Sequence, residues 1–442
     1  MQAVPLSQAE ETTSRGGPVR LPTTALDYGL EGKRVAMVSF SAFPSDPRPR
    51  RAAEALLDAG MSVDFVCLAD EGFPRRESTG RLNIRRVAIK HRRGGPLSYA
   101  YQYSAFILAS TVLCAIGTLR RHYDLVYVHN MPDVLVFSAV VPKALGAKVI
   151  LDQHDPMPEL MTTIFKLRKD SFAVRAMQYL EKWSIGCADL VLTVNMACKR
   201  IFENRSCRSE KIGIVMNAPD EKIFGSPGER FLPTARAEDT GTYVIMYHGS
   251  VVERNGLDLA IDALAQVRTS IPGAQLRVYG RRTPFLETVM NQARDKRLQD
   301  QVQYLGFRSL EKLVPEIQAC DLGVIPNHES DFAKINTPTR IFEYLSLGKP
   351  VIAPRTSGIT DYFDQNSLLF FNPGDTSDLA EKMKFAYWHP SEVGEIAARG
   401  HEVYREHCWE RERKRLLGLV AGLLCRSDGN RSSTNDCGDT IA

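Results

Sequence analysis

Short apolar runs that alternate with helix-like stretches are the feature that most constrains the fold of this chain. In the first half, strand-like runs such as RVAMVSF (34–40) and DLVYVH (124–129) are separated by helical patterns such as RPRRAAEALLDAG (48–60). This alternation is typical of βαβ units around a parallel sheet. A second series of the same kind begins at YVIMYHG (243–249) and ends at SLLFF (367–371). We therefore expect two doubly wound α/β domains in tandem.

The boundary between the two series is a stretch rich in proline, glycine and charge, NAPDEKIFGSPGERFLPTARAEDTGT, at residues 217–242. A chain of 442 residues has the length for two domains. The segment YREHCWERERKRLLGLVAGLL (404–424) predicts one long amphipathic helix after the second domain. The predicted organisation is a flexible N-terminal segment 1–30, a first domain 31–218, a second domain 219–388, C-terminal helices 389–425 and a disordered tail 426–442.

The composition is that of an ordinary globular protein, with 44% hydrophobic and 24% charged residues. The net charge of +4 gives no reason to expect a nucleic-acid partner. The first residues lack the apolar core of a signal peptide. The nine cysteines are scattered and include no C-x-x-C, which favours reduced thiols in a cytoplasmic protein.

Two common nucleotide-binding signatures are absent from the sequence. The loop after the first strand-like run, SFSAFP (39–44), contains no glycine, so the G-x-G-x-x-G fingerprint of NAD and FAD enzymes is missing. The chain also has no Walker A motif, no D-x-D triad and no His/Cys pair with metal-ligand spacing. We therefore expect neither a bound cofactor nor a metal ion.

The stretch NTPTRIFEYLSLGKPVIAP (336–354) places two charged side chains in a helix that precedes a buried strand. Thr337 is a suitable N-cap for this helix. Arg340 and Glu343 are three residues apart and share a face of it. Taken alone, they form either a surface ion pair worth under ~1 kcal/mol or part of an anion site at a helix N-terminus.

Five segments together resemble the family-4 glycosyltransferases, which have the GT-B fold of two facing Rossmann-like domains. The segments are FPSDPRPRRAAEALLDAGMSVDFVC, DLVYVHNMPD, VILDQHDPMPE, YHGSVVERNGLDLAIDAL, and TPTRIFEYLSLGKPVIAP followed by SGITDYF. The resemblance implies transfer of a sugar from a nucleotide-sugar donor to a glycan or lipid-linked acceptor. It also implies a C-terminal helix that crosses back to the first domain.

The resemblance gives the charged helix a role at the donor diphosphate. The helix N-terminus at Thr337 and the guanidinium of Arg340 would stabilise the departing diphosphate. Glu343 resembles the glutamate that bonds the ribose hydroxyls of the donor in this family. No divalent cation is then required, and the resemblance implies retention of the anomeric configuration by front-face transfer.

The loop after the strand-like run 243–249 is the second implied phosphate element. Gly249 allows the backbone to approach a ligand closely. Many relatives have an arginine directly after this glycine and a lysine a few residues later, where this chain has Ser250 and Asn255. We therefore expect Arg254 to supply the second cation.

One family feature is missing near the donor sugar. Many relatives have a glutamate eight positions before the one matched by Glu343, and here that position is Ile335. The preceding loop would then hold the sugar, through Glu329, Asp331 or its backbone.

The first domain supplies the implied acceptor side of the cleft. His129, at the end of DLVYVH, matches the histidine that faces the reacting sugar in relatives, although a histidine at a strand end is also a common structural hydrogen-bonder. We assign it to stabilise charge or to bond the sugar. The implied acceptor-binding residues, some of which would also suit turns, are Asp46, Arg48, His154, Asp155 and Glu159.

Two alternative functions share this architecture. A nucleotide-sugar 2-epimerase has the same donor site but isomerises the sugar without an acceptor. A catalytically weak, donor-binding subunit of a polysaccharide assembly complex would explain the missing glutamate. The nucleotide base, the sugar, the acceptor and the oligomeric state are not readable from the sequence.

Two features raise the question of a membrane partner. Eight basic residues lie between Arg75 and Arg93, against the single acid Glu77. They are either a solvated surface or a contact for an anionic membrane or a phosphate-bearing acceptor. The apolar stretch SAFILASTVLCAIGTL (104–119) is shorter than the ~20 residues that span a bilayer. We expect a buried helix there, with a helix dipping into a membrane interface as the alternative, and the inner face of the cytoplasmic membrane as an alternative location.

Overall fold

The structure, a computed structural model, describes residues 28–89, 96–225 and 241–428 of the chain. The expected flexible segment 1–30 and disordered tail 426–442 lie mostly outside these ranges, as does most of the expected linker. Within them the chain forms two parallel-sheet α/β domains followed by a pair of C-terminal helices. The prediction of two doubly wound domains is therefore confirmed.

The first domain is built on an eight-stranded sheet in which all strands but one edge strand are parallel. In spatial order the strands are β3 (Arg76–Thr79), β4 (Leu82–Val87), β2 (Ser62–Leu68), β1 (Arg34–Ala42), β5 (Leu125–His129), β6 (Lys148–Gln153), β7 (Leu190–Thr193) and β8 (Ile212–Ile214).

Helices cover both faces of this sheet, which is why its central strands are continuous apolar runs and not alternating ones. All five residues of β5 are buried. The covering helices are α1 (Pro47–Asp58), α2 (Pro96–Arg120), α3 (Val140–Ala144), α4 (Met157–Phe165), α5 (Phe172–Cys187) and α6 (Met196–Arg205). The short α7 (Glu221–Phe224) follows them, and its Phe224 belongs to a buried cluster of the second domain. A 3₁₀ segment, Asp133–Ala139, precedes α3.

The second domain contains a six-stranded parallel sheet. In spatial order its strands are β11 (Val302–Gly306), β10 (Ala274–Tyr279), β9 (Tyr243–His248), β12 (Leu322–Val324), β13 (Val351–Pro354) and β14 (Leu369–Phe371). Its helices are α8 (Leu257–Val267), α9 (Pro284–Asp295), α10 (Leu310–Gln318), α11 (Asp331–Ile335), α12 (Thr339–Ser346), α13 (Ser357–Thr360) and α14 (Thr376–Trp388).

The C-terminal helices return the chain to the first domain. The segment expected to form one helix at 404–424 is divided between α15 (Pro390–Glu406) and α16 (Trp409–Asp428). α16 packs on α1, and its Leu416 and Leu417 belong to the same buried cluster as the strands of the first sheet. This burial of apolar surface fixes the helix on the first domain.

Three local predictions need correction. The antiparallel edge strand β3 was not anticipated, because its residues, REST, are mostly exposed and have no apolar pattern. The helix in 336–354 begins at Thr339 with Pro338 as its N-cap, and not with Thr337. The apolar helix α2 is longer than 104–119 and only one side of it is buried, so the expectation of a buried helix is wrong for its outer side.

The docking of α16 gives a prediction about stability. Leu417 is 1% exposed, so Leu417→Ala leaves a cavity and is expected to lower the free energy of unfolding by about 2–5 kcal/mol. Urea denaturation followed by circular dichroism measures this change. Lys414→Ala, on the exposed side of the same helix, is the control and should change stability by less than about 0.5 kcal/mol. Equal effects of the two substitutions would show that α16 does not depend on this packing.

Candidate active site

Each sheet has one place where its strand order reverses, and both places face candidate site residues. In the first sheet the reversal lies between β1 and β5, and β5 ends at His129. In the second sheet it lies between β9 and β12, and Gly249 follows β9 directly. Ligands of doubly wound sheets bind outside the carboxyl ends of the strands at such points.

A cavity of about 410 Å³ lies at the carboxyl ends of β9 and β10 in the second domain. It is bounded by the turn after β9, the loop after β10, the start of α10 and one face of α12. Four guanidinium groups and one carboxylate line it, from Arg281, Arg282, Arg308, Arg340 and Glu343. This excess of positive charge suits an anionic ligand.

Arg340 is fixed at the floor of this cavity by the backbone of β9. One guanidinium nitrogen donates to the carbonyl oxygen of His248 at 2.7 Å, and the other donates to the side-chain oxygen of Asn327 at 3.3 Å. Its guanidinium also lies over the ring of Tyr247, 5.3 Å from the centroid. These contacts hold the positive charge in a defined place at the mouth of β9.

Gly249 is required at this turn for two physical reasons. Its φ of +118° is rarely adopted by residues with a side chain, and a Cβ atom there would lie 3.1 Å from the Arg340 side chain. Gly280 faces it, and a Cβ on that residue would lie 2.3 Å from the carbonyl oxygen of Gly249. The two glycines therefore open the space through which a ligand reaches the backbone.

Glu343 is a largely buried carboxylate, and the nearby cations Arg340 and Arg51 only partly offset the cost of burying its charge. Its side chain is 12% exposed, and one oxygen lies 3.5 Å from Nε2 of His248. Burial raises the pKa of Glu343 to about 7, although Arg340 and Arg51 act in the opposite direction. Burial and the charge of Arg340 hold the pKa of His248 well below its usual value. Within the described part of the chain, the Glu343 carboxylate accepts no hydrogen bond, so its oxygens can accept bonds from hydroxyl groups of a ligand.

Ser250 and Asn255 are uncharged, and their hydrogen bonds shape the turn after β9. The side-chain amide of Asn255 donates to the carbonyl oxygen of Ser250 at 2.7 Å, and the hydroxyl of Tyr247 donates to the same oxygen. Ser250 is exposed at the edge of the cavity. Their contacts therefore fix the shape of the turn at Gly249.

Thr337 does not have the position expected of it. Its hydroxyl donates to the carbonyl oxygen of Gly358 and accepts a bond from the amide of Asn195 at 3.0 Å. Through these two contacts Thr337 ties the first domain to the second. The helix begins two residues later, so Thr337 is not its N-cap. The backbone N–H groups of the helix N-terminus are offered instead by the turn that begins at Thr339.

Arg254 and Glu329 line a second cavity, of about 340 Å³, between the two domains. Arg254 is therefore not among the residues that line the first cavity, and the expectation that it supplies the second diphosphate cation is not supported by its placement. Arg281, Arg282 and Arg308 line the first cavity instead. Glu329 is paired with Lys334 at 2.9 Å on the surface.

Ile335 occupies the position of the missing glutamate and has a structural role. It is 8% exposed and belongs to the buried cluster of the first domain. Its carbonyl oxygen accepts a bond from Asn195 at 2.8 Å. An apolar side chain at this position joins the two domains, where a carboxylate would be buried at high cost.

On the facing side, His129 is completely buried at the end of β5. Its ring is stacked on that of Tyr127 with centroids 4.6 Å apart, and its Nδ1 atom lies 3.3 Å from a carboxylate oxygen of Asp152. Asp152 also accepts a bond from the hydroxyl of Tyr127 at 3.1 Å. The carboxylate therefore fixes the orientation of the imidazole beside the cleft.

Arg48 is part of this buried network and not an exposed acceptor contact. It donates to both carboxylate oxygens of Asp152, at 2.6–3.2 Å, to the carbonyl oxygen of Val215 and to the side chain of Asn217. Burial alone would raise the pKa of Asp152, but the charges of Arg48 and His129 outweigh it and lower that pKa. Arg48 is thus occupied by structural contacts, which do not support the prediction that it binds the acceptor.

Asp46 and Glu159 are also engaged in structure. Asp46 caps α1, and its carboxylate accepts a bond from the backbone N–H of Arg48 at 3.3 Å. Glu159 accepts two bonds from Arg205, at 2.6 and 3.0 Å, and the same arginine binds the buried Glu181. These contacts use the carboxylates that the acceptor assignment required.

His154 and Asp155 remain beside the buried network. The rings of His154 and His129 are 6.4 Å apart, and burial lowers the pKa of His154. Asn130 joins the two strand ends, because its side-chain amide donates to the carbonyl oxygen of Asp155 and its oxygen accepts from the backbone of His154. These two residues stay candidates for acceptor contact.

Among the described residues, the fold brings together three side chains that could bind a metal ion, and their spacing in the sequence did not indicate this. Donor atoms of His129, Asp152 and His154 lie within 4.8 Å of one another. Arg48, however, already contacts the central carboxylate at 2.6 Å. A metal ion would face this buried guanidinium, so the group fits an ion-pair network better than a metal site.

Several site residues were missed by the sequence reasoning. Asp152 directly follows an apolar run of a predicted strand, and this position is a detectable signal. The acceptor role was nevertheless assigned to the nearby His154 and not to Asp152. Arg281, Arg282, Arg308 and Phe307 line the first cavity, and Arg281 lies over the Phe307 ring at 4.3 Å. They occur in exposed polar loops whose sequence has no distinctive pattern.

Comparison with protein families assigns the two halves of the chain separately. Residues 46–218 match the family model described as glycosyl transferase 4-like domain, and residues 242–387 match the model described as glycosyl transferases group 1. The chain therefore belongs to the glycosyltransferases of the GT-B, family-4 type.

Similar proteins are distant in sequence. A probable glycosyltransferase, WbjE, of Pseudomonas aeruginosa is 23% identical over 243 residues, which is 54% of this chain and 59% of that protein. A D-inositol 3-phosphate glycosyltransferase of Rhodococcus erythropolis is 24% identical over 238 residues, 52% of either chain. These matches span little more than half the length of either relative.

Solved structures share the fold over most of the chain. The sucrose-phosphate synthase of Thermosynechococcus elongatus superposes with a TM-score of 0.68 and 19% identity, over 90% of this chain and all of that one. Anabaena HepE, solved in complex with UDP and glucose, superposes with a TM-score of 0.62 and 15% identity, over 88% and 100%. At these identities the likeness concerns the fold.

The buried network around Asp152 gives a prediction with a pH sign. Arg48→Ala leaves this carboxylate buried without its guanidinium, which is expected to cost about 3–5 kcal/mol of stability at pH 7. Without Arg48, burial would raise the pKa of Asp152 in the folded state above its unfolded value. The loss should therefore be largest at pH 7 and decrease towards pH 5, as the carboxyl becomes protonated.

Urea denaturation of wild type and Arg48→Ala at pH 5, 6 and 7 measures this difference. Arg50→Ala, which removes a partly exposed guanidinium bound to Asp220, is the control. A deficit that is the same at all three pH values, or that is below about 1 kcal/mol, would contradict the account of the network.

Proposed function

We propose that this protein transfers a sugar from a nucleotide-sugar donor to a glycan or lipid-linked acceptor. The observation that supports this most directly is the cavity at the carboxyl ends of β9 and β10, where Arg340 is held on the β9 backbone beside Gly249. A diphosphate carries about two negative charges, and its departure is favoured by cations positioned before the reaction.

In this proposal each part of the donor has a partner in the cavity. The diphosphate lies against Arg340 and the N–H groups at the start of α12, with further arginines at the opposite wall. The ribose hydroxyls donate to Glu343, whose ionised form accepts them best. Phe307 offers an apolar ring beside Arg281 for the base.

In this proposal His129 acts on the donor sugar from the first domain. Asp152 lies beside Nδ1 of the imidazole, and Nε2, which is buried and has no hydrogen-bond partner among the described residues, would bond a sugar hydroxyl or stabilise charge. This role does not involve a covalent bond to the sugar, and it is consistent with retention by front-face transfer.

In this proposal the acceptor binds on the side of the cleft that the first domain forms. His154 and Asp155 remain candidates for contact with it. The basic run between Arg75 and Arg93 is a weaker candidate than its sequence suggested, because Arg86 is 5% exposed and bonded to the carbonyl oxygens of Pro74 and Phe43. Lys90, Arg92 and Arg93 of that run lie outside the described residues.

The alternative functions are distinguished by products. A 2-epimerase would convert the nucleotide sugar without any acceptor, and a weak donor-binding subunit would bind it without turnover. A thermal-shift panel of UDP-, GDP- and ADP-sugars, followed by product analysis with and without acceptors, tests all three. Binding of donor together with acceptor-dependent release of nucleoside diphosphate supports transfer.

Removing Arg340 tests the diphosphate site. Because a charge-assisted hydrogen bond is worth about 1.5–3 kcal/mol, Arg340→Ala is expected to reduce the transfer rate at least tenfold. Release of nucleoside diphosphate measures this rate, and Arg399→Ala, an exposed arginine of α15, is the matched control. Kinetics of Arg340→Ala equal to those of the control would remove Arg340 from the donor site.

Chelation tests whether arginines replace a metal. Since Arg340 and the other three guanidinium groups surround the proposed diphosphate, transfer is expected to continue in excess EDTA. The rate is measured with and without EDTA, and then after addition of Mg²⁺ or Mn²⁺. Complete loss that either metal restores would overturn the arginine account.

A further inference from the structure

The long helix α2 has an unusual distribution of side chains. Its outward row is more apolar than the row it buries. The inward residues, spaced by four, are Gln102, Phe106, Ser110, Cys114 and Thr118. The outward row contains Tyr101, Leu108, Val112, Ile116 and Leu119, which are 42–75% exposed. A helix on a water-facing surface normally has the opposite arrangement.

The inward hydroxyl groups are satisfied within the helix. Ser110 donates to the carbonyl oxygen of Phe106 at 2.8 Å, and Thr118 donates to that of Cys114 at 2.9 Å. Phe106, 0% exposed, contacts the ring of Phe40 from β1 at 5.2 Å between centroids. α2 is therefore packed along the domain surface by this row, although a 21-residue part of it, Ala100–Arg120, has the length and hydropathy of a membrane span.

The apolar surface continues onto α5. Phe172, Tyr179 and Trp183 are 87%, 71% and 50% exposed. Trp183 contacts the ring of Phe137 at 4.1 Å between centroids, in the 3₁₀ segment that packs against both α2 and α5. We call the outward sides of α2, α3 and α5 the outer helical face.

The charges on the outer helical face have one sign. α2 and α3 contain no Asp or Glu, and the only acid of α5, Glu181, is buried and bound to Arg205. The exposed charged residues of these helices include Arg120, Arg175 and Lys182. An apolar surface interspersed with cations and free of exposed carboxylates is complementary to an anionic lipid surface.

We propose that the outer helical face docks the protein on an anionic bilayer. The aliphatic row of α2 and the rings of α5 enter the interfacial layer, and Arg120, Arg175 and Lys182 contact lipid headgroups. Tyr and Trp suit this layer because each combines an apolar ring with a polar group. Such docking would bring a lipid-linked acceptor to the cleft, but it does not depend on the transfer reaction.

The mode of docking is parallel to the membrane and not across it. The inward row of α2 remains in the core of the first domain, so only the outward row is available to lipid. Binding should weaken as salt rises, because exposed charges are screened beyond ~8 Å at physiological ionic strength.

Vesicle flotation with the full chain tests the proposal. Vesicles of phosphatidylcholine and phosphatidylglycerol in equal amounts are compared with pure phosphatidylcholine at low and high salt. We expect binding to the anionic vesicles. The triple variant Leu108→Ser, Val112→Ser, Ile116→Ser and the double variant Arg175→Glu, Lys182→Glu should each reduce the partition coefficient at least tenfold.

Trp388→Ser is the matched control, since Trp388 is 61% exposed on the second domain, and it should bind as the wild type does. Brominated lipid gives an independent readout: it should quench fluorescence in the wild type and in Trp388→Phe, but much less in Trp183→Phe. Thermal shifts with UDP report donor binding separately, and they should be unchanged in all these variants.

Three results would overturn the proposal. The wild type does not bind anionic vesicles at low salt, or it binds them with the same partition coefficient as the triple and double variants. Alternatively, light scattering shows a dimer in the wild type that the triple variant converts to a monomer, in which case the outer helical face is an interface between copies. None of these results bears on whether the cavity of the second domain binds a nucleotide sugar.

Discussion

The bond from the Arg340 guanidinium to the carbonyl oxygen of His248 is the contact on which the candidate site depends. It joins the first turn of α12 to the end of β9, and the bond to Asn327 adds the loop after β12. Because Gly249 has no side chain, the arginine lies directly against the turn. A single cation is thereby fixed where three elements meet, at the point where the strand order of the sheet reverses.

The first domain is connected to this site by the arginines of α1. Arg48 joins Asp152 to the segment that leaves the first domain, through Val215 and Asn217. Arg51 binds the carbonyl oxygen of Ala218, and its charge favours the ionised form of Glu343 across the cleft. The same helix therefore orients the histidine of one domain and affects the carboxylate of the other.

The sequence predicted the fold well, because alternating apolar runs directly reflect buried parallel strands. It also predicted Gly249, Arg340 and Glu343 at one site, because Gly249 follows a strand and the family resemblance assigns the helix that contains Arg340 and Glu343 to the same donor. It assigned Arg48 and Glu159 to the acceptor, but it did not show that Arg48 is bonded to Asp152 or that Glu159 is bonded to Arg205. Ionic partners far apart in sequence, such as residues 48 and 152, are set by tertiary packing alone.

The most direct test of the account is calorimetric titration of the protein near pH 7, in buffers of different ionisation enthalpy, with whichever of the UDP-, GDP- and ADP-sugars binds. Glu343 has a pKa of about 7 because it is buried. If ribose hydroxyls bond its ionised form, binding should release protons to the buffer, and Glu343→Gln should bind more weakly with less release. Unchanged affinity and unchanged proton release in Glu343→Gln would contradict the placement of the donor in this cavity.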